Sequence, residues 1–152
     1  MVCQDTLVGL QIYHSGAIEL MQFLNFDVED YNLDQFLNFN LEGIIYTFRF
    51  RYNSRDGWYL AIYNPAKFIK DEEDNTEALL YGEVKVMPNQ NILKHTVSAS
   101  LPEGYLSFID TELKSYEDYA LPSFDNIGTD KRFLLCYWTR AELVDTELEK
   151  YL

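Results

Sequence analysis

Two arginines, Arg49 and Arg51, stand among aromatic residues in YTFRFRYNSRDGWYLAIYN, residues 46–64, and Arg55 separates that run from the next. Guanidinium groups in such company suit recognition chemistry. They grip carboxylates through two parallel hydrogen bonds, they stack on rings, and Arg and Tyr recur at the energetic centres of protein interfaces. Arg49, Arg51, Arg55, Tyr59 and Trp138 are therefore the candidate partner-contact residues. A plainer reading puts both arginines on a solvent face, neutralising nearby acids, with Arg51 stacked over Tyr59 for about 0.5–1 kcal/mol. The residues alone leave both readings open.

Catalysis has no comparable footing. The two histidines, His14 and His95, lack metal-ligand spacing. No nucleophile elbow, GxxxxGK[ST] or GxGxxG occurs. Carboxylate pairs are so frequent that none marks a hydrolase site. The acidic run DEEDNTEA, Asp71–Ala78, lacks the glycine and ligand spacing of a calcium loop and reads as a solvated connection. No catalytic, cofactor-binding or metal-ligating residue is assigned, and no cofactor is expected.

The elements that must position the arginines can be read from period-two alternation. Ile44, Tyr46, Phe48, Phe50 and Tyr52 share one face of a strand and Arg49 and Arg51 the other. Asp56-Gly57 closes a turn, and WYLAIY returns. The hairpin so formed sets Tyr52 against Trp58, Phe50 against Leu60, Phe48 against Ile62, Arg51 against Tyr59 and Arg49 against Ala61. A slip of one residue would bury the arginines. LLYGEVKVM reads as a strand with a bulge or close contact at Gly82, and GYLSFID as another strand. MPNQN is a turn, and residues 92–101 fit a short helix or a strand. PSFDNIGTD is loop chemistry, with Asn126 and Gly128 suited to positive φ. FLLCYW is apolar on both faces and belongs at the centre of a sheet or under cover on each side.

The ends are less defined. SGAIELMQFLNF fits a helix capped by Ser15 with Ala17, Leu20, Met21 and Leu24 on one stripe, or a strand with Ile18, Leu20, Leu24 and Phe26 on one face. QFLNFD (residues 22–27) is echoed by QFLNFN (residues 35–40), which reads as chance or a duplicated strand. RAELVDTELEKYL reads as a short helix or an arm. The expected fold is all-β, a mostly antiparallel small barrel or sandwich. Residues 1–33 form an N-terminal extension, 34–140 the β domain and 141–152 a tail or short helix.

The bulk numbers agree with one domain. The chain has 152 residues, 47% hydrophobic and 16% aromatic, with twelve Tyr and ten Phe. That length buries roughly 68–70% of the unfolded surface. Twenty-five acids against twelve bases give a net charge of −13, which argues against nucleic-acid binding because phosphates would be repelled. A rival use of such acidity is a DNA-mimic inhibitor of a host nucleic-acid-binding protein, but the acids cluster in loops and near the C-terminus rather than in a duplex-like stripe. Cys3 and Cys136 lack CxxC spacing and fit two reduced thiols. No apolar run approaches 18 residues, so no secretion signal or membrane span is expected.

FNLEGIIYTFRFRYNSRDGWYLAIYN, LLYGEV, GYLSFID and FDNIGTDKRFLLCYW, in that order, resemble the small baseplate plug proteins of contractile-tailed bacteriophages. The likeness runs from Gln35 to Trp138. It departs in the extension before Asp34, the acidic insertion at Asp71–Glu77 and the segment between Asp110 and Phe124. The resemblance implies a virion structural protein without catalysis, assembled in the host bacterial cytoplasm and placed in the tail baseplate near the central hub. The partners it implies are baseplate and tail hub proteins, the tube or tape-measure protein among them, in a large hetero-oligomer. It also implies that the arginine face docks on one of them and that terminal arms order on assembly.

Overall fold

The alternation around Arg49 and Arg51 is borne out strand by strand. The computed structural model describes residues 21–29, 32–72, 74–94, 100–112 and 119–144. Among these residues seven strands run β1 (Gln22–Phe23), β2 (Asp34–Leu41), β3 (Ile44–Asn53), β4 (Gly57–Tyr63), β5 (Leu79–Lys85), β6 (Tyr105–Asp110) and β7 (Phe133–Trp138), followed by a four-residue helix α1 (Arg140–Leu143). They form two antiparallel sheets, in the orders β2-β3-β4-β5 and β1-β7-β6. The all-β expectation holds as two antiparallel sheets, and the outer edge of β6 is met by the segment after β5, where Pro88 bridges to Phe108 and the Asn89 and Ile92 N–H groups donate to the Phe108 and Leu106 carbonyls, each at 2.8 Å.

The β3–β4 register pairs Phe48 with Ile62, Phe50 with Leu60, Tyr52 with Trp58, Arg49 with Ala61 and Arg51 with Tyr59. The reason is burial. Phe48, Phe50, Leu60 and Ile62 are fully buried, and each such side chain contributes roughly 1.5–3 kcal/mol that a one-residue slip would forfeit. The inward series starts at Tyr46, because Ile44 sits beside the turn and is 57% exposed. That turn, Glu42-Gly43, joins β2 to β3 with φ of 56° and 85°, the two positive values of a tight type I′ hairpin loop.

Rings from both sheets meet in one core. Phe26 stacks on Phe50 with centroids 4.3 Å apart, and Phe108 of β6 meets both edge-on. β7 lies between β1 and β6 with nearly every side chain buried, as its two apolar faces require. Thr139 opens α1 with a capping box: its hydroxyl accepts from Glu142 N–H, and the Glu142 carboxylate accepts from Thr139 N–H.

Residues 21–29, expected within the extension, belong to the fold. β1 pairs with β7, and Leu24 and Phe26 are buried two residues apart, so the strand-like face holds here. The two copies of the echo meet in the fold. Gln22 Nε2 donates to the Asn40 carbonyl at 2.8 Å, and Gln35 Nε2 donates to the Asp27 carbonyl at 3.0 Å. The first residue of each copy thus bonds the last residue of the other. Matching positions also match in environment: Phe23 and Phe36 are exposed, Leu24 and Leu37 join the core, and Phe26 and Phe39 both touch Phe50.

Gly82 and Gly128 combine left-handed backbone with close contacts. Gly128 has φ of 112°, as its loop requires, whereas Asn126 works through its side chain, accepting from Ser123 N–H at 2.7 Å. Gly82 has φ of 107°, and a methyl group there would sit 2.7 Å from the Leu60 carbonyl oxygen and 2.9 Å from Ala61 Cα. The β4–β5 register shifts beside it, confirming the bulge. Gly82→Ala is therefore expected to destabilise by about 2–4 kcal/mol in urea unfolding, the left-handed backbone and the overpacking adding together. A loss below 1 kcal/mol would refute that packing.

Candidate protein-docking site

The outer face of the four-stranded sheet carries Arg49, Arg51 and Tyr59 together. Arg49 spans to β2, where Nε and Nη2 donate to the two carboxylate oxygens of Asp34 at 2.8 and 2.7 Å. Its Cζ lies 5.3 Å from the Phe36 ring centroid. Arg51 reaches over β4 to β5, donating through Nε to Glu83 at 2.8 Å and through Nη2 to the other oxygen of the same carboxylate. It lies over Tyr59 at 5.4 Å, the expected stack. The neutralising reading is thus correct about the arginines' immediate partners: both are paired within the chain.

Pairing does not hide them. The arginine side chains remain 29% and 35% exposed, on strands whose other face is core. Two parallel hydrogen bonds plus a ring fix each guanidinium plane, so little side-chain freedom is left to lose on docking. The bond from Arg51, opposed by partial burial, holds the Glu83 carboxyl below its ordinary value. A depressed folded value stabilises above the unfolded pKa, and that contribution is lost as pH falls through the folded one. Exposure keeps it small.

Arg55 is exposed at the hairpin tip beside this face, its N–H held by Asn53 Oδ1 at 2.9 Å. Trp138 is not brought to this face. It is fully buried at the end of β7, edge-on to Tyr105 at 5.5 Å, and its Nε1 has no hydrogen-bond partner among the described residues.

Sequence reasoning missed the rest of the site. Asp34 and Glu83 hold the arginines, and Phe36, Tyr63 and Phe68 cluster beside Arg49, with Phe68 4.9 Å from Phe36 and 5.3 Å from Tyr63. Phe68 comes from the connection between β4 and β5. That connection is exposed along its acidic part but anchored by Asn75, whose side chain bonds the Ile69 N–H and carbonyl at 2.8 and 3.1 Å.

Among the described residues no group of three or more His, Cys, Asp or Glu is placed to hold a metal ion, and no helix is long and apolar enough to cross a membrane. His14, His95 and Cys3 lie outside the described residues, as do Ser15–Leu20 and residues 145–152. Cys136 is buried, and burial pushes its thiol up, away from the thiolate a nucleophile needs.

Comparison with curated proteins and with solved structures gives no match. A protein family does match: cyanophage baseplate Pam3 plug gp18, over residues 21–140. The match begins before Asp34 and its bounds enclose the acidic connection and the segment from Asp110 to Phe124, so the family likeness starts earlier than the motifs alone indicate. It spans the two sheets and the arginine face, and with most of its length covered the chain belongs to this family of phage baseplate plugs.

Proposed function

We propose that the chain works by shape and contact in the central hub region of a tail baseplate, plugging or lining it, with the face of Arg49, Arg51 and Tyr59 docked on a neighbouring tail protein. The carrying observation is that two partly exposed guanidiniums are held in fixed planes on a rigid sheet. Preorganised arginine beside aromatic rings is the composition of an interface centre. Family membership supports a structural role in the baseplate, with other baseplate components as the partner class. The DNA-mimic reading draws no support from either the fold or the family.

Replacing both arginines (Arg49→Glu with Arg51→Glu) is expected to lower the amount of this protein in purified tails at least tenfold, measured by quantitative mass spectrometry. The same variant is expected to keep a cooperative thermal transition, because surface ion pairs contribute little to folding. Incorporation at the wild-type level would remove the docking role of this face.

A further inference from the structure

The four-stranded sheet has two edges, and they differ. β5 carries Gly82, Lys85 and a shifted register, devices that discourage a further strand. β2 has none of these. DQFLNFNL contains no Lys and no Pro, and its register with β3 is unbroken over eight residues from Asp34↔Arg51 to Leu41↔Ile44.

The two-residue loop makes Leu41 and Ile44 a hydrogen-bonded pair, so alternate residues Asp34, Phe36, Asn38 and Asn40 aim N–H and C=O away from β3. The Asn40 carbonyl is already met from that side by Gln22. Among the described residues, nothing bonds the outward backbone groups of Phe36 and Asn38. Beside them opens a cleft of about 610 Å³, walled by Phe36, Tyr63 and Phe68. Its carboxylates, Asp34, Asp71 and Glu72, outnumber its cations, Arg49 and Lys70, and Arg49 is committed to Asp34.

We propose that β2 is a strand-addition site that takes an extended, lysine- or arginine-bearing segment of a neighbouring baseplate protein. Open backbone groups select an extended chain, which gains main-chain hydrogen bonds as an added strand. Rings beside surplus carboxylates select a cationic side chain, through ring faces and charge complementarity. A second copy is disfavoured, since it brings another net charge of −13. The inference rests on the chain being a baseplate component; its cleft borders the arginine face, whereas the open backbone of β2 does not depend on that face.

The test compares Asn38→Pro with Asn38→Ala in tails assembled with the full chain. Both variants lose the 2.7 Å bond from Thr47 Oγ1 to Asn38 Oδ1, but only proline removes the outward N–H, which an edge strand tolerates. The alanine variant is expected in purified tails within twofold of wild type and the proline variant at least tenfold lower, both with cooperative unfolding by circular dichroism. Equal incorporation of the two overturns the proposal. Should the proline variant fail to fold, a benzoylphenylalanine photocrosslinker at position 36 in assembled baseplates decides. Capture of a Lys- or Arg-bearing segment of another protein supports the site. Capture of a second copy or an uncharged segment, or no capture, overturns it. Normal incorporation of Asn38→Pro alongside loss of the double-arginine variant rejects the edge alone, and the opposite pattern rejects the face alone.

Discussion

Replacing Arg132 by methionine lowers the stability of the folded chain by about 3–5 kcal/mol, the cost of leaving a buried charge without its partner. The charge is Asp110, at the end of β6 and fully buried. Arg132 Nε and Nη2 donate to its two oxygens at 2.8 and 3.0 Å. Glu112 N–H supplies a further bond at 3.0 Å, too little to compensate an ionised carboxylate in the interior. Methionine retains most of the aliphatic volume, so the loss reports the charge rather than a hole. Urea unfolding measures it, and a midpoint about 10 °C lower is expected in a thermal scan. Combining Arg132→Met with Asp110→Asn is expected to recover part of the deficit, because the uncompensated charge is then gone. A loss under 1 kcal/mol in the single variant would show that water reaches Asp110.

Phe50→Ala is expected to cost about 3–5 kcal/mol, the usual range for removing a buried phenyl ring. Phe50 is fully buried on β3, stacked on Phe26, and edge-on to Phe108 at 6.4 Å and to Phe39 at 6.3 Å. It joins the four-stranded sheet to β6 and to the segment after β1, so its removal opens a void that neither sheet fills alone. The exposed Ile45 provides the contrast: Ile45→Ala is expected within about 0.5 kcal/mol of wild type. Calorimetry on both variants checks the pair, and similar losses would contradict the core as described.

What was legible in the sequence was local. The β3–β4 register could be read in full because alternation and a turn fix it within twenty residues. FLLCYW was readable as a covered strand from its two apolar faces, and Trp138 lies buried at its end. Pairings between distant segments were not legible. β1 meets β7 across more than a hundred residues, and alternation says which face a residue takes but not which strand lies beside it. For the same reason Glu83 could not be named as Arg51's partner, since it arrives over β4 from a strand whose neighbour was unknown. Asp34 was closer to hand. It faces Arg51 directly in the β2–β3 register, yet its carboxylate turns diagonally to Arg49.

The reciprocal glutamine bonds have a consequence for alignment. Moving a strand along its neighbour by two positions keeps every oily side chain on its proper side, so hydrophobicity alone cannot forbid that error. β1, only two residues long, is especially open to it. An amide that must reach one particular carbonyl is not indifferent to such a displacement, and here two amides check each other in opposite directions. The repeated hexapeptide thus acts as a pair of vernier marks, which agree at a single setting of the two sheets.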